Sequence, residues 1–170
     1  MAALPRIRRT HPGTTLAIAG DGTQQEWLTE VARKHKVLKA VRFIGRADHD
    51  ELLAVLHRAD AAVLPSHHEP FGIVALEAIA AGTPLVTANV GGLGEAVING
   101  RTGISCPPRD PAALGAAVRA VLDDRMAPSA ARSRPENVSP PTSTGTPWPS
   151  TRPVVTGVGP MESSSGFWRR

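Results

Sequence analysis

Cysteine, aromatic residues and long apolar runs are scarce in this 170-residue sequence, and each scarcity excludes a class of protein. Cys106 is the only cysteine, which rules out an intramolecular disulfide and a multi-cysteine metal site and suits a reducing compartment. No run of about 18 consecutive apolar residues occurs, and Met1 to Thr10 carry no apolar run of secretory length. We therefore predict a cytoplasmic protein without a transmembrane segment.

Leucine and isoleucine are absent after Leu122, and the composition changes from residue 128 onward. Of the 43 residues from 128 to 170, 25 are Pro, Ser, Thr or Gly. Such a segment buries too little apolar surface to offset about 1–2 kcal/mol of conformational entropy for each ordered residue. We predict a folded domain over residues 1–127 and a disordered tail over residues 128–170, and a natural tail and a shifted reading frame remain equally open as its origin.

The formal net charge of +4 is concentrated in that tail. Residues 1–127 hold 14 Lys plus Arg against 13 Asp plus Glu, whereas residues 128–170 hold five Arg against two Glu. The one basic cluster of the body, Arg6, Arg8 and Arg9, has no aromatic residues interleaved with it, so we predict no nucleic-acid partner. A nucleic-acid module driven by the tail is the least supported alternative.

Short apolar runs alternate with amphipathic stretches between Thr14 and Asp124, which is the pattern of repeated βα units. The sequence predicts an α/β fold, a Rossmann-like parallel sheet with helices on both faces. The predicted strands are Thr15–Ala19, Val41–Ile44, Ala61–Leu64, Pro84–Thr87 and Gly103–Cys106. The predicted helices are Gln24–Lys36, Asp48–Arg58, Gly72–Ala81, Gly92–Ile98 and Pro111–Asp124.

The turn Gly20-Asp21-Gly22 follows the first strand and fails the dinucleotide-binding fingerprint. The position of the third glycine is Gln25, and the second strand ends in Gly45-Arg46 without an acidic residue to hold a ribose. We interpret this turn as a tight connection from strand to helix.

Two acidic residues, Glu69 and Glu77, flank the start of the third predicted helix. Glu69 precedes the helix, where free backbone amides carry a partial positive charge and favour anions. Two interpretations remain open from spacing alone. Either Glu69 stabilises the helix dipole and Glu77 bonds to nearby backbone, or both carboxylates meet the hydroxyls of a ligand whose diphosphate lies at the helix N-terminus.

Every residue from Ile73 to Ala81 except Glu77 is apolar, so we expect this helix to be covered nearly all round. Glu77 shares a helical stripe with Ile73, Leu76 and Ala80, which places the carboxylate among residues expected to pack. The preceding pair, His67 and His68, is interpreted as a solvated turn.

The segment from Ser66 to Ala78 resembles the Glu-x7-Glu motif of the retaining glycosyltransferases with two Rossmann-like domains (GT-B), specifically family 4. Seven ordered blocks carry the resemblance: Ile18-Ala19-Gly20-Asp21-Gly22, Val41-Arg42-Phe43-Ile44-Gly45, Ala59-Asp60-Ala61-Ala62-Val63-Leu64-Pro65-Ser66, Glu69-Pro70-Phe71-Gly72, Gly82-Thr83-Pro84-Leu85-Val86, Gly91-Gly92-Leu93-Gly94-Glu95 and Gly100-Arg101-Thr102-Gly103. Residues 14–124 are similar to the C-terminal, donor-binding half of such an enzyme.

The resemblance implies a nucleotide diphosphate sugar as substrate, with no metal and no further cofactor. It implies that Glu69 is the catalytic residue and binds sugar hydroxyls, and that Glu77 binds the ribose diol. It also implies a diphosphate site on the backbone and a site for the base. The backbone positions are Phe71, Gly72, Ile73 and Val74, and the base positions are Gly45, Arg46 and Ala47.

The sequence also departs from this family. Its members carry an N-terminal acceptor domain and an Arg…Lys-Gly segment that neutralises the departing diphosphate, and neither is found in this sequence. We therefore expect the chain alone to bind donor or nucleotide weakly and to transfer little or no sugar. The alternative is a non-enzymatic truncated or frameshifted relic without a function of its own.

Overall fold

Parallel strands alternate with helices along the chain, as the apolar pattern predicts. The computed structural model describes residues 1–123 and 153–157. The strands are β1 (Thr15–Ala19), β2 (Val41–Gly45), β3 (Ala61–Leu64), β4 (Leu85–Ala88), β5 (Gly103–Cys106) and β6 (Pro153–Gly157). The helices are α1 (Leu4–Arg8), α2 (Gln25–Lys34), α3 (His49–Arg58), α4 (Ile73–Ala80), α5 (Gly91–Ala96) and α6 (Pro111–Leu122), with a 3-10 turn at Leu38–Ala40.

Helices cover both faces of the sheet, which confirms the predicted fold class. Successive residues of a strand point to opposite faces, and β3 shows this directly. Val63 packs in a cluster with side chains of α1 and α6, whereas Leu64 packs in a second cluster with side chains of α3, α4 and α5. Both clusters are buried, so β3 is apolar on both faces, as expected for a central parallel strand.

An aspartate caps the start of α3 and another caps the start of α6. At α3, the Asp48 carboxylate accepts a hydrogen bond from the amide of Glu51 (2.8 Å), and the Glu51 carboxylate accepts one from the amide of Asp48 (3.1 Å). At α6, one oxygen of Asp110 accepts from the amides of Ala112 and Ala113, both at 2.9 Å. These bonds satisfy amides that a helix start would otherwise leave unpaired.

The tail contributes a strand, which corrects part of the prediction for residues 128–170. Pro153–Gly157 forms β6, and Val154 is buried. The composition of the 43-residue segment as a whole does not reveal its local run of β-branched residues. These are Val154, Val155 and Thr156, and such a run favours a strand. The rest of the predicted disordered tail, and the predicted boundary at residue 127, lie outside the described residues.

Strand β6 lies in the centre of the sheet, whose order is β2-β1-β6-β3-β4-β5. It pairs in parallel with β1 on one side and β3 on the other. Because β1 and β3 are not paired with each other, β6 joins the β2–β1 side of the sheet to the β3–β4–β5 side. The strand order changes direction at this position, and ligands of open α/β sheets bind outside the carboxyl ends of the strands at such a point.

None of the described helices is long and apolar enough to cross a membrane. The cytoplasmic location stays a prediction.

Candidate functional site

The loop that follows β3 carries Glu69 to the start of α4. One carboxylate oxygen of Glu69 accepts hydrogen bonds from the amides of Gly72 (3.1 Å) and Phe71 (3.4 Å). Gly72 itself has a left-handed backbone with φ of 70°, which glycine adopts without steric cost. The carboxylate therefore stabilises the helix start, as one of the two interpretations of Glu69 expects.

Two further amides at this helix start find no acceptor in the part of the chain that the structure describes. The first backbone hydrogen bonds of α4 run from Ala75 and Leu76 to the carbonyl of Gly72. Among residues 1–123 and 153–157, no acceptor meets the amides of Ile73 and Val74. The helix start thus keeps two donors available to an anion although Glu69 already accepts from Gly72.

The glycine pair after β4 holds the Glu69 loop in place. The amide of Gly92 donates to the carbonyl of Glu69 at 3.0 Å. A Cβ atom on Gly91 would clash with that carbonyl, and one on Gly92 would lie 2.8 Å from the carbonyl oxygen of Pro70. Only residues without a side chain allow the two loops to approach this closely.

Glu77 lies on α4 and contacts a side chain from another helix. One of its carboxylate oxygens, Oε1, lies 3.1 Å from Nδ1 of His49. The Glu77 side chain is only 20% exposed, yet no hydrogen bond to Oε2 occurs within the described part of the chain. Within the described residues Glu77 thus bonds to a side chain, contrary to the interpretation in which it bonds to nearby backbone, and one carboxylate oxygen stays available.

The apolar cover expected all round α4 is wrong on one side. Ile73 and Leu76 are 64% and 57% exposed, and the neighbouring Phe71 is 78% exposed. Ala75 and Ala78 are the residues that α4 buries fully. Val74 and Ile79 are partly buried against the same core cluster as these alanines, whereas Ile73 and Leu76 point outward. Glu77 lies at the edge of this exposed stripe.

The three positions predicted to lie near a base begin at the last residue of β2 and lead toward His49. Gly45 has a positive φ of 71°, and its carbonyl accepts a hydrogen bond from the amide of Gly20 at 2.7 Å. Arg46 is exposed and Ala47 half-buried. Asp48 then caps α3, and His49, the next residue, contacts Glu77.

Sequence reasoning missed His49 and Arg109. Arg109 follows β5 at the same edge of the sheet, with a left-handed φ of 59°. Its charge adds to partial burial in lowering the pKa of His67, and burial is the larger cause. His67 is thus half-buried, unlike the solvated residue predicted, whereas His68 is exposed. The only sequence signal for a role of Arg109 is its position after the carboxyl end of a predicted strand.

Within residues 1–123 and 153–157, no group of three or more His, Cys, Asp or Glu side chains is arranged to hold a metal ion.

These features define a doubly wound α/β domain with its candidate site at the carboxyl edge of the sheet. The family described as glycosyl transferases group 1 matches residues 1–137. The chain belongs to this family, and its fold is that of a GT-B glycosyltransferase domain.

Relatives and solved structures agree with this assignment. The chain is 75% identical over 134 residues to a glycogen synthase of Mycobacterium tuberculosis, an alignment that covers 79% of this chain and 32% of the relative. A sucrose-phosphate synthase structure from Thermosynechococcus elongatus has a TM-score of 0.66 and 31% identity, covering 82% of this chain and 38% of that one. The structure of Alr3699/HepE from Anabaena in complex with UDP has a TM-score of 0.58 and 27% identity, covering 74% of this chain and 37% of that one.

The chain spans about a third of the length of the glycogen synthase that it matches.

Proposed function

We propose that this chain binds a nucleotide diphosphate sugar at the carboxyl edge of its sheet. In this proposal it is the donor-binding half of a retaining family 4 glycosyltransferase, which moves the sugar to an acceptor hydroxyl. One observation carries the proposal: Glu69 and Glu77 flank a helix start at which the amides of Ile73 and Val74 have no acceptor among the described residues. The HepE structure also supports the proposal, because that protein is 27% identical to this chain and its structure is in complex with UDP.

The spacing of the site suits the three parts of such a donor. A helical rise of about 1.5 Å per residue places Glu77 roughly 7.5 Å beyond Gly72. The diphosphate would lie at the amides of Ile73 and Val74, near Gly72 and Phe71. The ribose would reach Glu77, and the base would lie against Gly45, Arg46 and Ala47.

Glu77 Oε2 is suited to a ribose hydroxyl because a carboxylate is an acceptor without a donor of its own. Hydrogen bonds to charged groups contribute about 1.5–3 kcal/mol each. Glu69, the proposed catalytic residue, already accepts from two amides through Oε1. Its second oxygen would bind hydroxyls of the donor sugar.

We further propose that transfer needs a partner domain that binds the acceptor. The exposed apolar side chains of Phe71, Ile73 and Leu76 lie beside the site and are the surface such a domain would cover. Because the chain spans about a third of its glycogen synthase relative, we expect the chain alone to bind donor weakly and to transfer little or no sugar.

Isothermal titration with UDP, GDP and ADP tests the proposal. Glu77→Ala removes the ribose acceptor and is expected to weaken binding of the preferred nucleotide about tenfold or more. Glu95→Ala is the matched control, since Glu95 is also a helical carboxylate but is exposed on α5. It is expected to change the Kd less than twofold.

Two results would contradict the proposal. If no nucleotide bound to the wild-type chain, the relic without a function of its own would be supported. If Glu77→Ala and Glu95→Ala bound equally well, Glu77 would have no part in the site. A titration with the matching nucleotide sugar, repeated on Glu69→Ala, separates the sugar subsite from the nucleotide subsite.

A further inference from the structure

The contact between His49 and Glu77 has no evident need in folding. The His49 side chain is 66% exposed, and α3 starts on its own capping box, which does not use His49. The other end of α3 is already tied to the loop after α4, because the hydroxyl of Thr83 donates to the carbonyl of Leu56 at 2.6 Å. The His49–Glu77 contact therefore adds little to the docking of α3.

The chemistry of the pair determines which nitrogen of His49 carries a proton. An ionised carboxylate only accepts hydrogen bonds, and Nδ1 of His49 lies 3.1 Å from Oε1 of Glu77. Nδ1 is therefore the protonated nitrogen and donates to Glu77. The exposed ring leaves Nε2 accessible to solvent.

This bond restricts the carboxylate of Glu77 in a defined way. A glutamate on a helix surface rotates about its terminal torsion. Ordering this group when a ligand binds costs conformational entropy, which weakens binding. The contact with His49 holds Oε1 and leaves Oε2 to a ligand. Oε2 is also the oxygen without a partner in the described structure.

We propose that His49 is a positioning residue for Glu77, which holds one carboxylate oxygen so that the other is presented to the ribose diol of a nucleoside diphosphate. This inference rests on the proposed function, and it adds the first residue of α3 to the site. His49 orders the acceptor before the ligand arrives, so nucleotide binding depends on its Nδ1–H donor.

Three variants of the full chain test this role by titration with the nucleotide that binds best among UDP, GDP and ADP. His49→Ala removes the donor and is expected to weaken binding about five- to tenfold. His49→Asn restores an N–H donor near the position of Nδ1 and is expected to bind within about twofold of wild type. Asp50→Asn, an exposed change in the same helical turn, is the control and is expected to leave binding unchanged.

A melting curve of each variant separates positioning from folding, because a positioning role lowers affinity while leaving Tm unchanged. If His49→Ala lowered Tm and affinity together and Asn restored neither, the role would be structural and the inference wrong. If His49→Ala bound as well as wild type or more tightly, while Glu77→Ala still weakened binding, the inference alone would be overturned. If the wild-type chain bound no nucleotide, the ribose role of Glu77 and this inference would both be overturned.

Imidazole nitrogen NMR provides a readout of the contact that needs no ligand. Wild-type protein is expected to show His49 protonated at Nδ1, and Glu77→Ala to shift the neutral ring toward the Nε2–H tautomer. A ring protonated mainly at Nε2 in the wild type would overturn the inference directly.

Discussion

Glu69 and Glu77 lie close together in the sequence but are held by different parts of the molecule. The contacts of Glu69 stay on the β3–β4–β5 side of the sheet: its carboxylate accepts from amides in its own loop, and its carbonyl accepts from the amide of Gly92 after β4. Glu77 is held by His49, which follows β2, and two strands separate β2 from β3 in the sheet. The position of Glu69 therefore depends on backbone contacts within the β3–β4–β5 side of the sheet. The position of Glu77 depends on a contact between that side and the β2–β1 side.

The substitution with the largest expected effect disrupts β6, the strand that joins the β2–β1 side of the sheet to the β3–β4–β5 side. Val154 is 3% exposed in β6, which joins β1 to β3. Val154→Asp buries a charge without a partner and is expected to lower the free energy of unfolding by about 4 kcal/mol, measured by urea denaturation.

Val154→Ala is the graded comparison, because it removes two methyl groups and adds no charge. It is expected to cost about 1–2 kcal/mol. In this variant, the His49–Glu77 contact should loosen before the contacts of Glu69 do, which NMR of the His49 ring would detect. Equal unfolding free energies for Val154→Asp and wild type would show that β6 does not join the sheet.

The next effect concerns Glu69 alone. Gly91 has a positive φ of 45°, and a Cβ atom there would clash with the carbonyl of Glu69. Gly91→Ala is expected to destabilise the protein by about 2–3 kcal/mol through backbone strain and overpacking, again by urea denaturation. It should impair binding of a nucleotide sugar more than it disturbs the His49–Glu77 contact.

Gly13→Ala is the control for this change, since Gly13 is exposed and does not have a positive φ. It is expected to alter stability by less than about 0.5 kcal/mol. A Gly91→Ala variant as stable as this control would mean that the two loops do not approach as closely as described.

The smallest effect lies at Arg109, on the same side of the sheet as Glu69. Its left-handed backbone is costly for a residue with a side chain, so Arg109→Gly is expected to stabilise the chain by about 0.5–1 kcal/mol in urea denaturation. The His49–Glu77 contact should be unaffected by this substitution. A loss of stability would show that interactions of the Arg109 side chain outweigh the strain.

The same variant changes how stability depends on pH. The pKa of His67 is lowered by burial and by Arg109, so the unfolded state binds more protons between the folded pKa and the ordinary value of about 6.5. The free energy of unfolding is therefore not reduced by His67 above that pH window, and it falls as the pH is lowered through the window. Arg109→Gly is expected to shrink this fall, measured as unfolding free energy at pH 5 to 7.5, whereas an unchanged slope would contradict a role for Arg109.

Much of the fold could be predicted because its signals are local. The capping residues Asp48 and Asp110 directly precede α3 and α6, and a cap acts within three residues of the chain. The five strands from Thr15 to Cys106 were likewise evident as apolar runs. Strand β6 was missed because its five residues lie in a segment whose average composition favours disorder.

The candidate site was predictable as a motif but not as a set of contacts. Glu69 and Glu77 were identified from their spacing and from the resemblance, whereas His49 lies 28 positions from Glu77 and no sequence pattern links them. The orientation of α4 was also missed. An almost wholly apolar helix has no polar face to reveal which side packs, and here the alanines lie against the sheet.

The sequence by itself determined the α/β class, the glycosyltransferase resemblance and the two acidic positions, because periodicity, caps and motif spacing act over short distances along the chain. Only the tertiary structure decided which residue meets Glu77, which face of α4 is exposed and which strand fills the centre of the sheet. Those outcomes depend on packing between segments far apart in sequence, where the shape and size of the facing side chains, and not local preference, select the arrangement.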